Sequence, residues 1–124
     1  MKSENRKITL VIGASENPQR YANMAIRALL KNGKSVVAIG NKNGDVEGVT
    51  IHKGWTDFQN IDTVTLYINP RIQREYYDYI LSLHPKRIIF NPGTENPELI
   101  DIAKKNGIET IEACTLVLLS LKQY

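Results

Sequence analysis

Short runs of apolar and β-branched residues alternate along this chain with segments whose apolar positions recur at a helical period. That alternation predicts parallel strands joined by crossover helices. The first run, Ile8 to Ile12, ends abruptly in Gly13-Ala14-Ser15. A helix from about Tyr21 to Lys31 follows, with Ala22, Ile26, Leu29 and Leu30 on one side and Gly33 as its stop. Ser35 to Ile39 reads as the second strand, closed by the turn-forming cluster Gly40-Asn41-Lys42-Asn43-Gly44. Asp45 to Asn60 carries no long helical period. It reads as a loop with an extended piece near Val49 to Ile51 and one helical turn near Trp55 to Phe58.

Thr63 to Ile68 is the third strand, apolar enough for burial on both faces. Asn69-Pro70 opens a helix whose apolar face is Ile72, Tyr76, Tyr79, Ile80 and Leu83. Arg87 to Phe90 is the fourth strand, and Asn96-Pro97 opens a helix reaching about Asn106, with Gly107 as its stop. Glu109 to Glu112 is the fifth strand. Leu116 to Leu121 reads as a short helix, with a strand as the alternative. The expected architecture is a single α/β domain with a doubly wound, five-stranded parallel sheet in the order 3-2-1-4-5.

At 124 residues the chain is long enough to bury a core, and its 42% apolar and 23% charged content is that of a globular protein. The net charge of +3 is spread along the chain without a basic run, so nothing promotes nucleic acid as a partner. The single cysteine, Cys114, excludes an internal disulfide and fits a reducing compartment. No stretch is long and apolar enough for a signal peptide or a membrane helix, so a cytoplasmic location is expected.

Candidate chemistry gathers where the strands end. Gly13 permits a tight turn, and Ala14 and Ser15 keep bulk away from an approaching ligand. The turn resembles the start of a nucleotide-binding unit but lacks the full G-x-G-x-x-G pattern, because Ser15 and Pro18 stand where further glycines would fall. Two readings of Ser15 stand, a phosphate ligand or a helix cap. Four of the five prolines follow asparagine, at Asn17, Asn69, Asn91 and Asn96. Asn69-Pro70 and Asn96-Pro97 read first as helix caps. Asn91-Pro92-Gly93 is separated from the next helix, so ligand contact by that loop stands beside a structural role. Arg20 and Lys42 lie in the loops after strands one and two, within reach of a phosphate, although each also reads as a solvated charge. The end of strand two carries Gly40-Asn41-Lys42 and no acid for a ribose diol, which disfavours NAD and tolerates a phosphorylated ribose. The tyrosines at 76, 77 and 79 are expected to pack against the sheet. Cys114 follows strand five and reads as a small buried residue, with a reactive thiol as the rival.

In their order and spacing these motifs resemble the small stand-alone CoA-binding proteins with a Rossmann-like fold, relatives of the CoA-binding domain of succinyl-CoA synthetase α subunits. The resemblance rests on Val11-Ile12-Gly13-Ala14-Ser15 with Asn17-Pro18, the helix end at Gly33, and Val36 to Gly40. It extends through Gly48, Asp62-Thr63-Val64, Asn91-Pro92-Gly93 and Glu112-Ala113-Cys114, and so spans about Ile8 to Leu119. It implies coenzyme A or acyl-CoA as ligand, with phosphates at Gly13-Ala14-Ser15 and the nucleotide along the ends of strands one and two. The Asn69-Pro70 and Asn91-Pro92-Gly93 loops would close over the pantetheine. Two positions depart from the family pattern. Ala38-Ile39-Gly40-Asn41 stands where a proline followed by Asn-Pro is usual, and Ile68 stands where arginine is frequent.

The leading expectation is non-catalytic CoA or acyl-CoA binding in a carrier or regulatory role. An NADP-dependent oxidoreductase, a thiol carrier or transferase using Cys114, and a ligand-free interaction scaffold are the alternatives. A homodimer or a separate protein partner is compatible with each.

Overall fold

A computed structural model describes residues 7–124. Its strands are β1 (Ile8–Ile12), β2 (Ser35–Gly40), β3 (Gly44–Val46), β4 (Val49–Lys53), β5 (Ile61–Leu66), β6 (Arg87–Phe90) and β7 (Glu109–Glu112). The helices are α1 (Tyr21–Lys31), α2 (Pro70–Gln73), α3 (Tyr77–Ser82), α4 (Pro97–Lys105) and α5 (Thr115–Ser120). A single 3-10 turn, Arg74–Tyr76, separates α2 from α3.

The α/β class and doubly wound character hold, but the sheet has seven strands in the order β3-β4-β2-β1-β5-β6-β7. The expected five strands in the order 3-2-1-4-5 left out β3, and left out β4 too, although β4 coincides with the extended piece expected near Val49 to Ile51. β4 pairs in parallel with β2, and β3 pairs with β4 as the antiparallel edge. β4 therefore occupies the place beside β2 that the order assigned to the strand expected at Thr63 to Ile68. That strand, β5, pairs instead with the other side of β1. Counting parallel strands alone in chain order, the sheet runs 3-2-1-4-5-6. Trp55 to Phe58 forms no helical turn.

Alternation along β1 divides the core into two layers, because successive side chains point to opposite faces. Leu10 and Ile12 pack with Val64, Leu66, Ile88 and Phe90 against Ile80 of α3 and Leu99 and Ala103 of α4. Val11 packs with Ala38 and Ile51 against Ala22, Ile26 and Leu29 of α1 and Leu119 next to it. Each fully buried Leu or Ile contributes roughly 1.5–3 kcal/mol, so both faces are strongly held. The helix starts follow from local chemistry. The Asn69 and Asn96 side chains accept the N–H groups of Ile72 and of Glu98 and Leu99, each with proline at the first helical position. In place of one continuous helix after Asn69 stand α2, with Gln73 buried, and α3, with Ile80 buried, joined by the 3-10 turn.

From β1 the chain builds outward in one direction through β2, and from β5 in the other. The turns after β1 and β5 therefore part, and a crevice opens at the C-terminal edge of the sheet. Among the described residues no helix is long and apolar enough to cross a membrane.

Candidate functional site

The crevice is a cleft of about 710 Å³. Gly13, Ala14, Ser15, Arg20, Tyr21 and Ala22 form one wall, and Gly40 and Asn41 close one end. Tyr67, Ile68, Asn69, Ile72 and Tyr76 form the opposite wall, continued by Pro92, Gly93 and Thr94.

The first wall is shaped by backbone approach. The N–H groups of Gly13 and Ala14 both donate to the Ile39 carbonyl, each at 2.9 Å. A Cβ on Gly13, whose φ is +98°, would fall 2.9 Å from the Tyr67 carbonyl oxygen, and one on Gly40 would fall 2.4 Å from that of Ala14. Both glycines thus permit strand ends to touch, and the Gly13 and Ala14 N–H groups are already engaged within the sheet. Ser15 does not cap α1. Its Oγ accepts the Asn17 N–H at 3.0 Å, and the helix starts later, at Tyr21. Arg20 occupies the N-cap position, and among the described residues no side chain caps the first turn of α1. The uncapped N–H groups of that turn lie beside the cleft, where a helix N-terminus favours negative charge.

A brace not anticipated from the sequence holds this loop. Buried Asn23 donates from Nδ2 to the Ser15 carbonyl at 3.0 Å and accepts from Arg27 Nε at 2.8 Å. Arg27 also donates to the Pro18 carbonyl at 3.2 Å. Glu16 reaches across to accept the Asp45 N–H at 2.9 Å, tying the loop to β3. Asn17 and Lys42 are exposed but lie outside the cleft lining.

The opposite wall is shaped by side chains. Asn91 is 2% exposed and donates to Thr65 Oγ1 at 2.6 Å and the Leu66 carbonyl at 2.9 Å. Its Oδ1 accepts the Thr115 N–H at 2.8 Å. The amide is committed internally, stapling β6 to β5 and α5, while Pro92 and Gly93 face the cleft. Asn69 both caps α2 and lines the cleft, whereas Pro70 does not. Fully buried Gln73 donates to the carbonyls of Ile68 and Thr94, each at 2.8 Å, and accepts from Asn96 at 2.8 Å. It locks the two loops of this wall to each other.

Cys114 is half-buried at the start of α5, outside the lining. Beside it, the Tyr67 hydroxyl is buried without a hydrogen-bond partner among the described residues. Burial pushes that phenol up to about 12, against the opposing pull of the neighbouring Thr115 and Thr65 hydroxyls. Tyr76 packs against the core, as expected, but also lines the cleft. Apolar periodicity located Ile72 and Tyr76 on a helix without revealing that the 3-10 turn brings that region to the cleft.

Among curated proteins none is detectably similar to this chain. Several solved structures are. A crystal structure of an uncharacterized protein is 49% identical, with a TM-score of 0.93 over 96% of this chain and 98% of that one. A Thermus thermophilus protein at 20% identity superposes with a TM-score of 0.85 over 96% of this chain and 91% of its own. The dinucleotide-forming acetyl-coenzyme A synthetase 1 of Ca. Korarchaeum cryptofilum shares the fold at 19% identity and a TM-score of 0.70. That match covers 86% of this chain and 25% of the synthetase chain. Residues 7–120 match the CoA binding domain family. With that match across nearly all of its described length, the chain belongs to the CoA binding domain family.

Proposed function

We propose that the cleft binds coenzyme A or an acyl-CoA and that the protein works as a carrier or regulatory module. The observation that carries this reading is the contrast across the cleft. The uncapped first turn of α1, with Arg20, faces a wall of Ile68, Ile72 and Tyr76. CoA combines clustered phosphates with a long, weakly polar pantetheine, so it suits both surfaces. In this reading α1 and Arg20 hold the phosphates, Gly40 and Asn41 border the nucleotide, and Pro92, Gly93 and Thr94 flank the pantetheine. The phosphate locus moves from the Gly13–Ala14 amides to the helix end, because those amides already bond Ile39. Ile68, where the family often has arginine, widens the apolar surface.

The test is a thermal-shift and calorimetry series with CoA, acetyl-CoA, NADP, NAD and ATP at low and physiological salt. CoA or acetyl-CoA should raise the melting midpoint with concentration, by an amount that shrinks as salt rises. A shift by NADP alone would transfer the site to a dinucleotide. No shift by any of them would remove small-molecule binding as the role of the cleft.

A further inference from the structure

The chain's single tryptophan, Trp55, is 65% exposed, although tryptophan is normally well covered. Its surroundings are well anchored. The Tyr79 hydroxyl donates to the Thr56 carbonyl at 2.6 Å, and Phe58 packs on the core and stands edge-on to His52 at 5.5 Å. The indole meets Tyr76 at 6.3 Å with the rings 85° apart, and Tyr76 lines the cleft. Trp55 itself lines a neighbouring depression of about 320 Å³ with Thr56, Phe58 and Tyr79, and it meets the cleft through Tyr76.

Its place on the sheet indicates what it receives. Trp55 follows β4, whose Lys53 pairs with Gly40 at the end of β2, the end of the cleft closed by Gly40 and Asn41. With phosphates at the α1 terminus, the base of a nucleotide lies toward the end of β2. The exposed indole of Trp55, held nearly perpendicular to the half-buried Tyr76 ring, presents a flat surface that suits a planar heterocycle better than a flexible chain. We infer that Trp55 and Tyr76 form a stacking subsite for the planar base of the ligand, an inference that rests on the reading of the cleft as a CoA site. Both are specificity-determining residues for base-bearing ligands.

The sole tryptophan provides the readout. Fluorescence titrations with adenosine 3′,5′-bisphosphate, CoA, palmitoyl-CoA and 4′-phosphopantetheine, with calorimetry in parallel, separate the parts of the ligand. The expected result is a change in Trp55 emission with the three base-bearing probes and none with phosphopantetheine. Trp55→Ala and Tyr76→Ala should each raise the dissociation constant for CoA about tenfold, while circular dichroism confirms that both variants are folded. An emission change that appears only with palmitoyl-CoA would assign the aromatic pair to the acyl chain and overturn the inference. Calorimetric CoA binding without a Trp55 response, and of unchanged affinity in both variants, would overturn the subsite while leaving the CoA reading standing. Absence of calorimetric binding by every probe would overturn both.

Discussion

The two sides of the cleft stand on the same sheet edge but are built by opposite means. At β1 and β2 the strand ends meet through backbone contact, with two N–H groups on the Ile39 carbonyl and Gly40 against the Ala14 carbonyl, and side chains enter only in the loop beyond, where Asn23, Arg27 and Glu16 brace it. At β5 and β6 it is held by side-chain amides, Asn91 reaching Thr65, Leu66 and Thr115 while Gln73 joins Ile68 to Thr94. The first side has no room for an added atom. The second depends on atoms that must not be removed. Their shared task is to hold rigid loops around a ligand, and the difference shows that glycine and asparagine reach that end by absence and by presence.

The strongest way to break this contrast is to add one methyl group. Gly40→Ala should cost about 3 kcal/mol or more, read as a fall in the urea midpoint, because its Cβ would meet backbone 2.4 Å away that cannot rotate aside. A near-native midpoint would show that the strand ends yield. Gly13→Val would be similarly disruptive, so loss of CoA binding in it could not distinguish a phosphate loop from a damaged sheet.

Removing atoms on the other side should be nearly as costly. Asn91→Ala is expected to lose about 2–3 kcal/mol, since it strips three hydrogen bonds from buried groups. A loss below the error of denaturant unfolding would contradict the stapling role.

Charge on the first side can be changed without touching either support. Arg20→Glu should weaken CoA binding about tenfold, roughly 1.4 kcal/mol, while the melting temperature without ligand stays equal to or slightly above the native value, because a carboxylate suits the α1 N-terminus. Equal affinity for variant and native chains would place the phosphates elsewhere.

The smallest effect marks the exception on the second side. Tyr67→Phe removes a buried hydroxyl that has no hydrogen-bond partner among the described residues, so it should be neutral or stabilising by up to about 1 kcal/mol. It also tests pH dependence. The folded-state pKa of Tyr67 is raised from 10.0 to about 12, so the unfolded chain releases this proton first as pH rises. The stability contribution is full below pH 10 and is lost between pH 10 and about 12. Unfolding experiments across that interval should show a shallower decline in Tyr67→Phe, with some slope retained because burial also holds Tyr79 up to about 12. An unchanged slope would mean that Tyr67 ionises freely in the folded protein.

How much of this was legible in the chain depended on how local the cause was. Helix α1, strands β6 and β7, and the Asn69 and Asn96 caps coincide with the sequence reading, because apolar period and capping chemistry act within a few residues. β3 escaped it, and β4 reads there only as an extended piece near Val49 to Ile51, not as a strand of the sheet. They are short, flank Gly48, and mix buried Val49 and Ile51 with exposed Thr50 and Lys53, so only their pairing with each other and with β2 identifies them as strands. Family resemblance indicated a CoA site but not the internal engagement of Asn91, whose partners lie 24 to 26 residues away in sequence. The aromatic neighbour of Tyr76 was hidden for the same reason, since Trp55 reaches it across a loop.

The sequence by itself determined the α/β alternation, the helix starts and the concentration of small and polar residues where the strands end. Short-range sterics and hydrogen bonding suffice for those features. Only the tertiary structure decided which neighbours flank β1, which amides remain open at the cleft and which asparagine is turned inward. Those outcomes depend on contacts between segments distant in sequence, where one carbonyl, that of Ile39, takes the N–H groups of Gly13 and Ala14, in the stretch where the family resemblance implied phosphates.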